Sequence, residues 1–198
     1  MVSRAVQRSF NSITVDGDTS TNDTVLAYAA GEPLDPAHYC ALEEGLTEAM
    51  QHLARAIARD GEGATLLLEV QVEGAEDEAG ARAIARTVCG SSLVKTAVHG
   101  RDPNWGRIVG AAGRAGVAFQ PDAVALWLGQ YQLMAGGQPL SFDRKAATIY
   151  MCERAAGDYL QGDTVVIRLQ VGTGSGSAKA WGCDLSDQYV RINADYTT

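Results

Sequence analysis

The stretch TVDGDTSTNDT, from Thr14 to Thr24, concentrates side chains that could bind a metal ion or supply a nucleophile. Its three aspartates offer the hard oxygen ligands that divalent cations prefer. The calcium-loop spacing fails, because Thr21 stands where the turn glycine should be and Ala27 where the bidentate glutamate should be. A catalytic hydroxyl needs a neighbouring base, and the stretch contains no histidine. We therefore predict a turn whose aspartate and threonine side chains hydrogen-bond to the local backbone.

A second candidate is HGRDPNWGRI, from His99 to Ile108, which combines a histidine, two arginines, an aspartate and an asparagine with two glycines. One interpretation is a site for an anion or a carboxylate, since arginine offers a two-pronged donor and glycine lets a ligand approach the backbone. The other is a structural loop fixed by Trp105 and by pairing between Arg101 and Asp102. The residue types leave both open, and His99 itself is interpreted as a surface or hydrogen-bonded histidine.

Three shorter features place polar groups in unusual settings. Glu62 lies between two glycines at the end of a predicted helix, where its carboxylate is either positioned for binding or simply solvated. Gly172 to Gly182, GTGSGSAKAWG, has neither the phosphate-loop nor the dinucleotide-binding spacing, and it predicts a flexible turn. The last six residues, NADYTT from Asn193, are either a disordered tail, as chain ends commonly are, or a docked end that the apolar residues before them anchor.

Hydrophobic periodicity predicts the elements that position these groups. Helices are predicted at Met1–Phe10, His38–Arg59, Asp77–Thr87 and Ala146–Ala156. Strands are predicted at Ser12–Val15, Val25–Ala30, Thr65–Glu73, Val124–Tyr131, Thr164–Val171 and Tyr189–Asn193. Residues 90–113 contain five glycines and predict turns or close backbone approaches. Because helices and strands interleave without a regular βαβ order, we predict an α+β layered fold, with residues 1–198 as a single domain.

The composition argues against several classes of function. The net charge of −8 and the isoelectric point near 4.8 disfavour a nucleic-acid partner bound through its phosphates. No apolar run of about 18 residues and no signal-peptide pattern occurs, so no membrane association is expected and a cytoplasmic protein is predicted. The four cysteines lack zinc-site spacing and are expected to be reduced thiols.

Four segments together resemble one enzyme family. In chain order they are SFNSITVDGDTSTNDT, DGEGAT, LVKTAVHGRDPNWGRI and AWGCDLSDQYVRINADYTT. They are similar to the C-terminal, or β, chain of ornithine acetyltransferase, also called glutamate N-acetyltransferase, of arginine biosynthesis. The resemblance implies an αββα sandwich of the kind shared with DmpA-type self-processing aminopeptidases. It also implies autocatalytic cleavage before a threonine, which then carries acetyl from N-acetylornithine to glutamate.

The resemblance implies that three residues of this chain bind the amino-acid substrate: Glu62, Asn193 and Thr198. The position of the family's nucleophilic threonine precedes Met1, so we expect no catalytic residue within the chain and no activity from the chain alone. The expected partner is the α chain of the same precursor, which would supply the oxyanion donors and form an α2β2 hetero-oligomer. No cofactor and no metal are expected, and acetyl-CoA as a co-substrate is left open.

Two rival functions fit parts of the same pattern. A DmpA-like aminopeptidase subunit would share the fold and the self-cleavage but would hydrolyse instead of transferring acetyl. A non-catalytic interaction module would explain a β-like chain that has neither the nucleophile nor the α chain. Ornithine release with and without glutamate separates the first rival, and binding of a separately supplied α chain tests the second.

Overall fold

The computed structural model describes residues 1–196, so the predicted site residue Thr198 lies outside the described residues. Helices and strands interleave along the chain. The helices are α1 (Val2–Gln7), α2 (Tyr39–Arg59), α3 (Glu78–Cys89), α4 (Ser92–His99), α5 (Trp105–Ala112), α6 (Arg144–Ala155) and α7 (Asp187–Asp195). The strands are β1 (Leu67–Ala75), β2 (Ala125–Leu128), β3 (Tyr131–Ala135), β4 (Gln138–Pro139), β5 (Thr164–Gln170) and β6 (Gly176–Cys183). The α+β prediction is confirmed.

The strands form one mixed sheet in the order β4-β3-β2-β5-β1-β6. Strand β1 pairs in parallel with β5 and antiparallel with β6, so Leu67 lies between Thr164 and Cys183. This register brings the turn that precedes β1 next to the segment that follows β6. It therefore places the loop around Glu62 beside helix α7.

Helices cover one face of the sheet and exclude water from a continuous apolar core. Alternate residues of the strands point to opposite faces, which sets the periodicity of this core. Helices α3, α4, α5 and α6 pack against strands β1, β2 and β5 in this core. Its fully buried residues from the strands, and from the position just before β1, are Leu66, Leu68, Val70, Val72, Leu126, Leu128, Val165, Ile167 and Leu169.

The opposite face is more polar. A smaller cluster forms where Leu67 and Trp181 meet Ala54 and Ala58 of α2. Glu69 lies on the same face, and its carboxylate accepts a hydrogen bond from Trp181 Nε1 at 2.7 Å. The sheet thus buries one face in a large apolar core and keeps charged groups on the other. Within residues 1–196, no helix has both the length and the apolar character that a membrane span requires.

Helix α2 follows the predicted boundaries, and Asp35 caps the short 3₁₀ turn before it by accepting from Ala37 N at 2.9 Å. Helical periodicity predicts one apolar stripe as the buried face of α2, but the structure buries a different face. The stripe consists of Leu42, Leu46, Ala49, Leu53, Ala56 and Ile57. Leu53 and Ile57 are 53% and 49% exposed, whereas α2 buries a neighbouring line of residues. That line consists of Met50, Ala54 and Ala58.

The glycine-rich segment 90–113 forms two helices, α4 and α5, where turns were predicted. Its glycines lie largely at helix ends: Gly90 follows α3, Gly100 follows α4 and Gly113 follows α5. Their φ angles of −85°, −77° and −62° are open to any residue, so these helices end without the left-handed conformation that favours glycine. Frequent glycines therefore indicated helix boundaries here and not an absence of helices.

The segment 172–182 is likewise not a flexible turn along its whole length, because it contains most of β6. A Cβ on Gly176 would lie 2.2 Å from the carbonyl oxygen of Asp77, and one on Gly182 would lie 2.7 Å from that of Thr14. These glycines allow the backbones to pack closely. The glycines that suggested a flexible turn are instead needed because neighbouring backbones pack closely against this strand.

Four predicted strands differ from the structure. Val124–Tyr131 is a hairpin of β2 and β3 with Gly129 at the turn, and Ser12–Val15 makes a single bridge between Ile13 and Trp181. Val25–Ala30 has no helix or strand and is exposed. Tyr189–Asn193 lies within helix α7. Short apolar runs do not distinguish strand from helix by periodicity, and tertiary contacts decided the outcome.

Candidate functional site

The structure brings two of the predicted site residues into direct contact. Glu62 lies on the turn between α2 and β1, and Asn193 lies on α7. Asn193 Nδ2 donates to Glu62 Oε2 at 3.0 Å and to the carbonyl oxygen of Tyr189 at 3.0 Å. Both residues are exposed to solvent. The fold therefore presents a carboxylate and an amide, far apart in the chain, at one place on the surface.

The two glycines beside Glu62 are required by packing. A Cβ on Gly61 would lie 2.7 Å from Cys183 Sγ. Gly63 has a φ of +68°, and a Cβ there would lie 2.7 Å from Gln188 Cβ and 2.8 Å from Tyr189 N. The turn thus packs against the end of β6 and the first turn of α7, which fixes where Glu62 leaves the backbone.

Side-chain donors hold the carbonyl groups of this turn. Arg59 donates from Nη1 to Ala64 O at 3.2 Å and from Nη2 to Thr65 O at 3.1 Å. Its Nε donates to the buried carboxylate of Asp163 at 2.5 Å. Ser186 Oγ donates to Gly63 O at 2.7 Å. The turn is therefore bonded both to the helix that precedes it and to the helix that carries Asn193.

Asp184 fastens the end of the turn to β6. Its carboxylate is buried and accepts from Thr65 N at 2.7 Å, from Thr65 Oγ1 at 2.6 Å and from Leu66 N at 3.2 Å. Burial alone would raise the pKa of Asp184, but hydrogen bonds from Thr65, His99 and the backbone outweigh it and hold the pKa below its usual value. The carboxylate is therefore charged and fully used in holding the turn.

His99 is a hydrogen-bonded histidine, as predicted, with Nδ1 at 2.7 Å from Asp184 Oδ2. Arg101 has a φ of +56° and donates from Nη2 to Thr65 Oγ1 at 3.2 Å. The predicted pairing of Arg101 with Asp102 is wrong, because Asp102 pairs with Arg144 at 2.6 Å. The segment from His99 thus supports the Glu62 turn through Asp184.

Lys95 connects this region to the segment after Ile13. The side chain is 2% exposed, and its ammonium donates to the carbonyl oxygen of Val15 and lies 3.8 Å from Cys183 Sγ. Burial raises the pKa of the Cys183 thiol, and the Lys95 charge opposes that shift. Sequence reasoning singled out neither Lys95 nor Asp184, because a single lysine on a helix and a single aspartate after a strand carry no distinctive spacing.

The TVDGDTSTNDT stretch is a hydrogen-bonded turn, as predicted. Asp16 Oδ1 accepts from Asp18 N at 3.0 Å, and Thr24 Oγ1 donates to Asn22 O at 3.3 Å. Tyr189 OH donates to Asp16 Oδ2 at 3.1 Å, which places the turn against α7 near Asn193. Partial burial raises the pKa of the Tyr189 phenol, and the hydrogen bond to Asp16 raises this pKa further.

This arrangement can bind a charged amino group, because a carboxylate and an amide converge on one surface point. It does not form a nucleophile with its base. The Thr65 hydroxyl donates to Asp184, and His99 bonds the same carboxylate instead of the hydroxyl. The group of threonine, histidine and aspartate therefore holds structure and is not arranged for nucleophilic attack.

Comparisons with known proteins agree along the whole chain. A profile described as the ArgJ family matches residues 1–198. The arginine biosynthesis bifunctional protein ArgJ of Parasynechococcus marenigrum (strain WH8102) is 71% identical over all of this chain, which covers 46% of that protein. The protein of the same name from Prochlorococcus marinus (strain MIT 9313) is 72% identical with the same coverage. The chain thus spans about half the length of the curated relatives it matches.

A solved structure shows the same fold. The crystal structure of arginine biosynthesis bifunctional protein argJ from Bacillus halodurans, at 2.00 Å resolution, aligns with a TM-score of 0.90 and 41% sequence identity. The alignment covers 98% of this chain and 91% of that one. This likeness confirms the predicted fold class, the sandwich of the ornithine acetyltransferase type.

Proposed function

This chain belongs to the ArgJ family, and from that premise we propose that it supplies the amino-acid-binding part of an acetyltransferase of arginine biosynthesis. The reaction moves acetyl from N-acetylornithine to glutamate through an acetyl-threonine intermediate. The observation that carries the proposal is the contact between Asn193 and Glu62, at 3.0 Å across 131 positions of sequence. Both similar proteins are arginine biosynthesis bifunctional proteins, which supports the pathway.

In this proposal Glu62 attracts the ammonium group of the amino-acid substrate. A carboxylate accepts hydrogen bonds only, so it suits a donor with three N–H groups. The bond that Asn193 now makes to Glu62 Oε2 keeps the carboxylate oriented until the substrate arrives. Thr198 is the third proposed binding residue.

The acetyl-accepting threonine belongs, in this proposal, to a segment that precedes Met1, and the α chain provides the oxyanion donors. A neighbouring α-amine can act as the base for such a hydroxyl, and an acyl-enzyme divides the transfer into two easier steps. The hydrogen bonds that occupy Thr65 and His99 support a nucleophile from elsewhere. We therefore expect the isolated chain to be inactive.

The assembly we propose is an α2β2 hetero-oligomer in the cytoplasm. The four cysteines are free thiols, two exposed and two buried, and this supports a reducing compartment. We propose neither a metal nor a tightly bound cofactor, and acetyl-CoA remains a second possible acetyl donor.

The test is an assay of the enzyme assembled by coexpressing this chain, its nucleophile segment and the α chain. We expect ornithine release from N-acetylornithine to require glutamate and to produce an equal amount of N-acetylglutamate. Ornithine release at the same rate without glutamate would identify a hydrolase and contradict the proposal. Acetyl-CoA supplied in place of N-acetylornithine then decides whether it is a donor.

A further inference from the structure

The segment 25–34 follows the TVDGDTSTNDT turn and is left uncovered by the rest of the chain. It contains no helix or strand, and each of its residues is exposed. The side chains of Leu26 and Tyr28 are 88% and 94% exposed. Among residues 1–196, no backbone-to-backbone hydrogen bond involves this segment. Its apolar side chains and its backbone donors and acceptors therefore face solvent together.

The composition of this segment is that of a strand. Residues 24–30, TVLAYAA, include no charged residue, no proline and no glycine. Threonine, valine and tyrosine favour strands. An uncharged run of this length without proline pairs readily with other strands, because nothing in it blocks a ladder of backbone hydrogen bonds. The segment thus has the sequence of a strand but lacks a neighbouring strand in the described part of the chain.

A second copy of the chain is a poor neighbour for this run, because acidic residues stand at both of its ends. Asp23 precedes it and Glu32 follows it. Antiparallel pairing centred between Ala27 and Tyr28 places Asp23 of one copy opposite Glu32 of the other, and parallel pairing in register places each beside itself. Like charges directly opposite destabilise a pair of strands, and charges that flank an apolar run commonly prevent such self-pairing. The fitting neighbour is therefore a different chain, with basic side chains at these two positions.

A partner chain has room to cover more than this segment. The chain spans about half the length of the relatives it matches, so a large part of such a protein lies outside it. The segment continues through the 3₁₀ turn Pro36–His38 into α2, where Tyr39 and Leu42 are also exposed. One partner can therefore cover the segment and the start of the helix together.

We propose that residues 24–30 add as a strand to an open sheet edge of the partner α chain. Backbone hydrogen bonds between the two strands hold the segment, as when an extended peptide joins an exposed sheet edge. Leu26 and Tyr28 lie on the same face of such a strand and pack into the partner, while Asp23 and Glu32 pair with lysine or arginine of the edge. The inference rests on the partner of the proposed function, but it does not depend on the transfer of acetyl.

Amide hydrogen exchange tests the pairing directly. In the isolated chain the amides of residues 25–30 should exchange almost as fast as in an unfolded peptide. In the protein assembled with the α chain their exchange should be at least about 100-fold slower, whereas helix α3 in the core should be protected in both samples. Equal exchange of residues 25–30 in the two samples would overturn the proposal. Protection that the isolated chain gains at high concentration would also overturn it, because the neighbour would then be a second copy.

Proline substitutions test whether the backbone makes the contact. A strand at a sheet edge bonds to its neighbour through every second N–H group, and proline removes that group. Either Ala27→Pro and Ala29→Pro, or Leu26→Pro and Tyr28→Pro, should therefore weaken binding of the α chain about tenfold more than the other pair. Leu26→Ala and Tyr28→Ala control for the lost side chains. The same effect at all four positions, after that correction, would show that no ladder forms.

Charge reversal tests the kind of edge. Glu32→Lys should weaken binding of the α chain about tenfold, because it replaces a pair of opposite charges with a pair of like charges. The matched control is Glu153→Lys, which changes an exposed glutamate on α6 and should leave binding unchanged. An unchanged affinity in Glu32→Lys would contradict the basic edge that we propose.

These measurements need no substrate, so they separate this inference from the proposed function. Protection of residues 25–30 in an assembly that transfers no acetyl would contradict the proposed function and support the inference. Acetyl transfer by an assembly in which these amides still exchange fast would do the reverse. Failure of the two chains to assemble would overturn both.

Discussion

At the residue scale, the carboxylate of Glu62 can be removed without disturbing the fold. The side chain is exposed and is held by a hydrogen bond from Asn193. We propose that its carboxylate binds the ammonium group of the substrate. Glu62→Ala in the assembled enzyme should lower kcat/KM about 30-fold, which corresponds to about 2 kcal/mol for a hydrogen bond to a charged group. Steady-state kinetics measures the loss, and the melting temperature should stay the same.

The matched control for that prediction is Glu44→Ala. It removes an exposed glutamate near the start of α2, whereas Glu62 follows the end of that helix. It should leave kcat/KM unchanged. Asn193→Ala and the double variant complete a cycle in which the two losses should be less than additive, because the residues bond each other. Fully additive losses would show that they act separately.

Asp184 determines how the turn responds to acid. Its pKa in the folded chain is lower than its ordinary value of 3.8, so its charged form stabilises the fold at pH values above 3.8. That contribution is lost as the pH falls through the folded pKa. Asp184→Asn should lower the free energy of unfolding by about 2 kcal/mol at neutral pH, since it breaks charged hydrogen bonds of a buried group.

Urea unfolding of wild type and Asp184→Asn at several pH values tests this sign. The difference between the two proteins should be constant at pH values well above 3.8 and should shrink as the pH falls through the folded pKa, where the wild-type carboxylate becomes protonated. A difference that grows on acidification would contradict the assignment. Asp122→Asn, at an exposed position, serves as the control and should show no difference at any pH.

At the element scale, the turn that carries Glu62 depends on a glycine. Gly63→Ala forces a side chain into a φ of +68° and into Gln188 Cβ at 2.7 Å. Gly116 has a φ of +70° with nothing within 4 Å of its added Cβ, so Gly116→Ala carries the backbone cost alone. We expect about 1 kcal/mol of destabilisation for Gly116→Ala and about 2 kcal/mol more for Gly63→Ala.

Kinetics of the same two variants separate stability from function. Gly63→Ala should also raise KM, because relief of the clash moves the turn away from α7 and therefore moves Glu62 away from Asn193. Gly116→Ala should leave KM unchanged. Equal melting temperatures for the two variants would show that the turn can shift freely and that its packing does not position Glu62.

The sequence predicted the elements whose periodicity is long or buried, such as α2, α3, α6, β1 and β5. It missed β6, α4 and α5, where glycine served close packing or helix ends and therefore resembled a loop. For the site, Glu62 and Asn193 followed from the family resemblance, whereas the contact between them did not. Lys95 and Asp184 could not be predicted, because only the folded chain shows that one ammonium and one carboxylate fix the neighbouring segments.

At the scale of the whole molecule, helix α2 exposes the apolar stripe that its periodicity had marked for burial. Leu42, Leu53 and Ile57 are 49%, 53% and 49% exposed and lie on one side of the helix. Apolar groups aligned in this way are typical of a surface that another chain covers. We therefore expect the isolated chain to self-associate, and analytical ultracentrifugation should show species larger than the monomer.

The double substitution Leu53→Glu and Ile57→Glu should return the isolated chain to a monomer, since like charges then face each other across any contact between copies. Ile149→Glu changes an equally exposed residue on α6, at 48%, and should leave the self-association intact. If the stripe is instead the place where the α chain sits, the double variant should also fail to assemble with it, while Ile149→Glu assembles normally. A wild-type chain that remains a compact monomer at high concentration would show that the exposed stripe of α2 needs no partner, and the proposed hetero-oligomer would then have to form through another face.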